Sequence, residues 1–581
     1  MAINMLRSAI CGSRFAARPA RLSLAVALAC ASAGVAAQPD DSFFGDSGLL
    51  VVSRSVYDNV SSNVTPGMAL PPNCNSAQAS CPTGGAPVDG TYPTVWNNAL
   101  YDSSFGITAR IFLDAIKPGG DVVRTLEVPN SLHPGHGHDQ LVTSFSSKSE
   151  LSLNLSSDGR YLTFMGYVAP VNTIDVSNSN TPGAIDPTNP DGQVFYRAVA
   201  RLDAEGHFSF TETNAYSGNN GRSALLNNGN GNDKGNDKGN DKGNDKGNDK
   251  GNGFYYTVGN AGNGANPQPV GVILGAGAQF IEATKEHEAQ QTPGTPTPLA
   301  SFSVTQLGAK ADKVGKDDNF RGLTVFNNVV YFTKGSGGNG VNTVYFVDTT
   351  GKACPSGGVG VPVAGAKLPA NPLAYDASTV AANGLPSNVC VLAGFPATPN
   401  KTATTLSYPF GVWFADANTL YVADEGDGYA GGTDLYTHAA QQTTAGLQKW
   451  VYNAGTKSWK LAYTLQNGLN LGTSYTVPGY PVGTNSATSL PWSPATDGLR
   501  NITGHVGEDG TVTIWAITST VSGNGDQGAD PNRLVAVRDV LRNTTAAGAA
   551  NEHFATLREA GFGEVLRGVS LAPGALSGKW F

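Results

Sequence analysis

Four arginines stand at the same place in a short phrase that recurs along the chain. The phrases are Asn219-Asn220-Gly221-Arg222, Asp318-Asn319-Phe320-Arg321, Asp497-Gly498-Leu499-Arg500 and Glu564-Val565-Leu566-Arg567, each running on into a β-rich stretch. A guanidinium presents a planar fork of donors that matches carboxylate, phosphate or sulfate, so a ring of arginines is chemistry for holding an anion. Three of the four follow an acid by three residues, namely Asp318, Asp497 and Glu564. That companion favours a second reading, in which each arginine bridges neighbouring repeat units through a salt bridge, since structural ion-pair networks mimic sites.

Metal chemistry has two further candidates. His133, His136 and His138 crowd into His-Pro-Gly-His-Gly-His-Asp, a density at which imidazoles bind zinc, copper or nickel; a solvated histidine-rich loop is the alternative. Asp424 and Asp427, and Asp526 and Asp530, offer carboxylate oxygens on Gly-rich turns of the kind calcium takes, which makes calcium the first divalent metal to consider. Neither stretch follows the EF-hand register, and Asn, Asp and Gly also serve ordinary turns. Gly-x-Ser-x-Gly, His-Glu-x-x-His, a Walker loop and Cys-x-x-Cys-His do not occur, so those familiar routes to catalysis have no support.

The elements that must position these residues are strands. Glycine is abundant, helical periodicity is scarce, and β-branched or aromatic runs alternate with Gly/Asn/Asp turns, the composition of an all-β protein. The stretch 408–465 divides into four strands, 410–414, 420–423, 447–452 and 459–465. The same four-beat order fits 321–394 and 500–558, and with longer loops 151–213 and 222–306, where Val270–Leu274 and Ser301–Gln306 are expected as the third and fourth strands. Self-similarity at this period predicts the four-stranded blades of a β-propeller, with six blades expected and seven the alternative. The segments 49–54, 107–113 and 122–128 lack an inner strand, which the orphan phrase from Arg567 to Leu571 can supply, closing the ring with both ends of the chain. In that arrangement the arginine phrases surround one mouth of the channel, facing loops rich in acidic residues.

The paired phrases Phe-Gly-Val-Trp-Phe-Ala-Asp and Leu-Tyr-Val-Ala-Asp at 410–424 resemble the inner strands of the NHL and YVTN-type propeller superfamily. The resemblance covers most of the chain at the level of fold. It implies a range of functions, from lyases and lactonases to noncatalytic binding scaffolds.

Residues 1–37 read as an export signal. Arg7, Arg14, Arg18 and Arg21 precede an apolar core over 22–35 and a Val-Ala-Ala cleavage site, which predicts a mature chain of residues 38–581 in the periplasm or outside the cell. Cleavage takes the formal charge from −8 to −12, an acidity that speaks against nucleic-acid binding. No later apolar run approaches the ~18 residues of a membrane helix. Four cysteines remain, and their order suggests Cys74 with Cys81 and Cys354 with Cys390, although four cysteines allow three pairings. Five copies of Gly-Asn-Asp-Lys within 228–253 carry no apolar residue and predict a disordered insertion on the face opposite the arginines.

The chain is expected to be a monomer, and two functions follow as expectations for it. One is binding or turnover of a small anionic or carbohydrate-derived molecule at the arginine-bearing face, with a metal-assisted lyase or lactonase-like hydrolase as the enzymatic form. The other is a noncatalytic scaffold for a glycan, peptide or surface partner, using Trp96, Tyr429, Tyr436 and Trp492 as exposed aromatics.

Overall fold

Strands that are apolar on both faces need a neighbour on each side, and this chain meets that need by arranging small sheets around an axis. In the computed structural model, which describes residues 43–44, 48–68, 85–100, 106–133, 140–174, 176–177, 195–228, 253–261, 275–284, 297–312, 316–354, 357–373 and 388–574, six antiparallel sheets form a six-bladed β-propeller. Blade 1 uses Asn154–Leu155, Leu162–Tyr167, Arg197–Leu202 and Phe208–Thr213, and blade 2 uses Gly221–Asn227, Phe254–Gly259, Gly277–Glu282 and Pro298–Ala300. Blade 3 runs Leu323–Phe326, Val329–Lys334, Thr343–Val347 and Val389–Leu392; blade 4 runs Pro409–Asp416, Thr419–Asp424, Gly446–Asn453 and Ser458–Leu465. Blade 5 consists of Ala495–Val506, Thr511–Val521, Arg533–Val540 and Ala555–Glu559. Blade 6 takes its inner strand, Glu564–Leu571, from the far end of the chain and pairs it with Leu50–Val56, ahead of Thr108–Ile116 and Val122–Glu127. The closing register pairs Leu50 with Leu571 and Val56 with Glu564, so the expected junction of the two chain ends is present.

Each junction between blades holds its own apolar cluster. Along one strand alternate residues serve opposite junctions: Tyr255 packs toward blade 1 with Met165 and Val199, whereas Tyr256 packs toward blade 3 with Phe332 and Tyr345. Leu50 and Val52 likewise face blade 5 while Val51 faces blade 1. This period of two is the strand's own, and it explains why propeller strands look uniformly apolar in sequence.

Near the axis the blades are riveted by hydroxyls. Ser53 Oγ accepts from Gly568 N at 2.8 Å and donates to the carbonyl of Leu151 in the next blade at 2.8 Å. Thr333 Oγ1 repeats the pattern, accepting from Gly322 N at 2.9 Å and donating to Phe410 O at 2.5 Å. Glycine is required beside these rivets, because a Cβ on Gly322 or Gly568 would lie 2.1 Å from Phe410 O or 2.3 Å from Leu151 O. The recurring arginine-glycine pair at 321–322 and 567–568 thus combines a side chain for the axis with a backbone for the seam.

Blade 2 departs from expectation at its outer half. Its third strand is Gly277–Glu282, not 270–274, which lies outside the described residues. Its fourth strand is Pro298–Ala300, and most of 301–306 instead leads into a short 3-10 turn over Val304–Leu307. Ser303 and Gln306 form a reciprocal capping box there, a turn signal that outweighs the β-branched residues between them.

Cys354 and Cys390 form the expected disulfide, tying a loop to the last strand of blade 3 across 36 residues of sequence. Closing a loop of that length contributes about 3–4 kcal/mol in the chain-entropy account. Reduction, or the Cys354→Ser/Cys390→Ser pair, is therefore expected to lower unfolding stability by about that amount in urea titrations. Cys74 and Cys81, and the Gly-Asn-Asp-Lys copies, lie outside the described residues, as do residues 1–41. No helix among the described residues is long and apolar enough to cross a membrane.

Candidate functional site

The six inner strands follow one another around the axis in blade order, so the arginines of blades 2, 3, 5 and 6 face a common region. All four are buried: Arg222 and Arg321 are 5 % exposed, Arg500 4 % and Arg567 3 %. Blades 1 and 4 place Leu151 and Phe410 at the equivalent position. Leu151 turns into the core between blades 6 and 1, and the Phe410 ring lies 5.8 Å from the Arg321 guanidinium.

The acids three residues upstream do not pair with these arginines. Asp318 accepts from Phe302 N at 3.1 Å, Asp497 accepts from Gly428 N at 2.9 Å, and Glu564 pairs with Arg54 at 2.5 Å. Blade bridging does occur, through neutral acceptors for Arg222 and through the Glu425 carboxylate for Arg500. Arg222 reaches the Phe320 carbonyl at 2.8 Å and the Asn319 side chain of blade 3, and is steadied by Asn220 Oδ1 at 3.0 Å.

The counter-charge comes instead from residues at the ends of second strands and in the loop before blade 1. Glu425, which follows the second strand of blade 4 and is 2 % exposed, takes Arg500 Nε and Lys148 Nζ on the same oxygen, each at 3.3 Å. Burial opposes its ionisation, yet Lys148, Arg321 and Arg500 outweigh burial and hold its carboxyl down to about 2. Glu150 is enclosed by Thr143 Oγ1 at 2.6 Å, Ser144 N at 3.0 Å and Tyr167 Oη at 2.9 Å, with burial pushing its carboxyl up. Lys334, at the end of the second strand of blade 3, is fully buried against Ser336 O at 2.6 Å and Asn342 Oδ1 at 3.2 Å. Burial, reinforced by Arg321, lowers it to about 7.

Around the axis two fully buried guanidinium donors have no acceptor. Lys148 and the four arginines interact electrostatically with one another and with Glu150, Glu425 and Asp526. Arg321 Nη2 donates to Ser336 Oγ but its Nε has no partner. Arg567 Nη2 donates to Phe145 O and its Nε meets Ser55 Oγ at 3.4 Å, while its Nη1 has no partner. Burial lowers Arg567 to about 9, with Arg500 adding to the effect. A buried donor without an acceptor costs about 1–3 kcal/mol, more when charged, so these two atoms mark where an acceptor belongs.

The other candidates are scattered. Asp424 accepts from Tyr408 N at 2.8 Å and Gly426 N at 3.1 Å, as a turn-forming side chain does, whereas Asp427 pairs with His438 Nε2 at 2.6 Å. Asp526 accepts from Gly528 N at 2.8 Å and Asp530 from Tyr480 Oη at 2.7 Å. Among the described residues the single trio of His, Cys, Asp or Glu close enough to share an ion is Asp348, Cys354 and Cys390, and its sulfurs are joined to each other. His133 sits on an exposed turn; His136 and His138 lie outside the described residues. Trp96 and Trp492 are buried, at 0 % and 8 % exposure, in an aromatic cluster with Tyr57, Tyr92 and Tyr480, contrary to their reading as exposed contacts. Tyr429 and Tyr436 are partly exposed, and Tyr429 stacks on His438.

Sequence reading located the arginines but missed Glu425, Lys148 and Lys334 as their neighbours. The usable signal was positional: Lys334 and Glu425 both occur where a second strand ends on the arginine-bearing face. No family model matches the chain, and no curated protein is detectably similar to it.

Proposed function

We propose that this propeller is an exported protein that binds a small anionic molecule on its axis, with Arg222, Arg321, Arg500 and Arg567 as the recognising groups. The observation that carries the reading is the pair of buried guanidinium donors on Arg321 and Arg567 that have no acceptor, in a group of four buried arginines. The disulfide between Cys354 and Cys390 supports an oxidising compartment, in keeping with the basic-apolar leader. The scaffold alternative loses its main support, because two of its four aromatic contacts are packed inside.

Binding should appear as a rise in unfolding midpoint with sodium acetate or phosphate that sodium chloride at matched ionic strength does not reproduce. Arg321→Gln should reduce that increment, and Arg321→Gln/Arg567→Gln together should abolish it, while the variants still unfold cooperatively. Equal midpoints in all three salts would remove the reading.

A further inference from the structure

The arginines are not evenly spread, and their distribution constrains the shape of the ligand. With blades numbered in order around a six-membered ring, blades 2 and 3 carry adjacent arginines, and so do blades 5 and 6. Blade 3 lies directly across the axis from blade 6, so the two guanidinium groups with an unpartnered donor, Arg321 and Arg567, belong to opposite sides of the ring. Arg222 is engaged by Asn220, Asn319 and Phe320, whereas Arg500, beside Arg567, donates to Glu425 through Nε alone. The unmet demand is therefore bipolar.

We infer that the ligand is a small dicarboxylate whose two acid groups reach Arg321 on one side of the axis and Arg567 on the other. The inference rests on the anion-binding reading above and adds the number and placement of the acid groups. A monocarboxylate bound to one guanidinium leaves a buried donor unpaired on the opposite side, whereas two acids joined by a short spacer satisfy both. Joining them makes the second contact intramolecular, so affinity rises only when the spacer matches the span. Carboxylate is favoured over phosphate because the ring already accommodates one carboxylate, that of Glu425 between Lys148 and Arg500.

Calorimetric titration of the disulfide-intact protein with acetate, malonate, succinate, glutarate, adipate and inorganic phosphate, at constant ionic strength, tests this. The expected result is a length optimum, with one dicarboxylate binding at least about tenfold more tightly than acetate and than phosphate. Arg321→Gln and Arg567→Gln should each bring that dicarboxylate to within about twofold of acetate. The length series needs no variant, so it decides the matter even if a substitution fails to fold. Acetate or phosphate matching the best dicarboxylate would overturn the two-ended ligand while leaving the anion site standing. No binding by any of the six would overturn both.

Discussion

Replacing Glu425 by glutamine is expected to lower the stability of the propeller by about 3–5 kcal/mol, the loss typical of removing one member of a buried ion pair. Glutamine keeps the shape of the side chain, so the loss isolates charge. Glu425 is the carboxylate shared by Lys148 and Arg500 at 3.3 Å each, and it also lowers the cost of burying Arg321. Lys148 is 35 % exposed and water will screen part of its share, which places the expectation toward the lower end of that range. Arg500, at 5 % exposed on its side chain, has no such relief.

The more informative variant is Glu425→Ala. It removes the carboxylate and its volume together, and exogenous acetate should then recover part of the lost stability by binding only the folded state. Urea titrations of the alanine variant with acetate and with chloride at equal ionic strength provide the measurement. Recovery specific to acetate identifies an anion-accepting ring; an unchanged midpoint for both variants would show that solvent already balances the arginines and that Glu425 is dispensable.

The contrast between what the chain announces and what it conceals has a physical origin. Blade count, inner strands and the joining of the two chain ends were legible because they rest on local period and on a repeated phrase. The arginines were legible because they sit inside that phrase. Glu425 was visible only as one of several acids in Asp424-Glu425-Gly426-Asp427-Gly428, and nothing local distinguishes it from Asp424 next to it. Their fates differ because consecutive residues leaving a strand point to opposite sides: Glu425 turns toward Lys148 and Arg500, while Asp424 turns back to cap the backbone of Tyr408. The salt bridge expected between repeat units is present for Arg500, but its carboxylate is Glu425 and not the acid three residues before the arginine. Sequence spacing predicts contacts within a strand, whereas the partners of Arg222 and Arg500 come from neighbouring blades.

Stability is expected to fall as pH rises from about 4 to about 7.5, by on the order of 5 kcal/mol, opposite to the behaviour of a protein held by surface salt bridges. Burial is the largest cause raising the carboxyls of Asp424 and Asp530 to about 6 and that of Asp497 to about 7; all three side chains are almost fully buried. A carboxyl with a raised pKa binds its proton more tightly in the folded state. Its contribution is complete below the unfolded value of 3.8 and disappears as pH climbs through 6 and 7. Each unit is worth about 1.4 kcal/mol, and the sum over three groups is discounted by about half for relaxation and water entry. Two groups bound the window. Glu425, held down to about 2, contributes above pH 4.5 and loses that contribution as pH falls toward 2, so acid does not stabilise indefinitely. Lys334, lowered to about 7, releases its proton more readily when folded than unfolded, which makes stability climb again above pH 7 and flattens the descent there. Urea unfolding at half-unit steps from pH 3 to 8.5 should trace a maximum near pH 4, and Asp497→Asn, which mimics the protonated acid, should remove the portion of the fall that extends from pH 6 to 7. A profile that rises steadily from pH 5 to 7.5, with Asp497→Asn superimposable on the parent, would mean that these carboxylates are solvated in the folded protein.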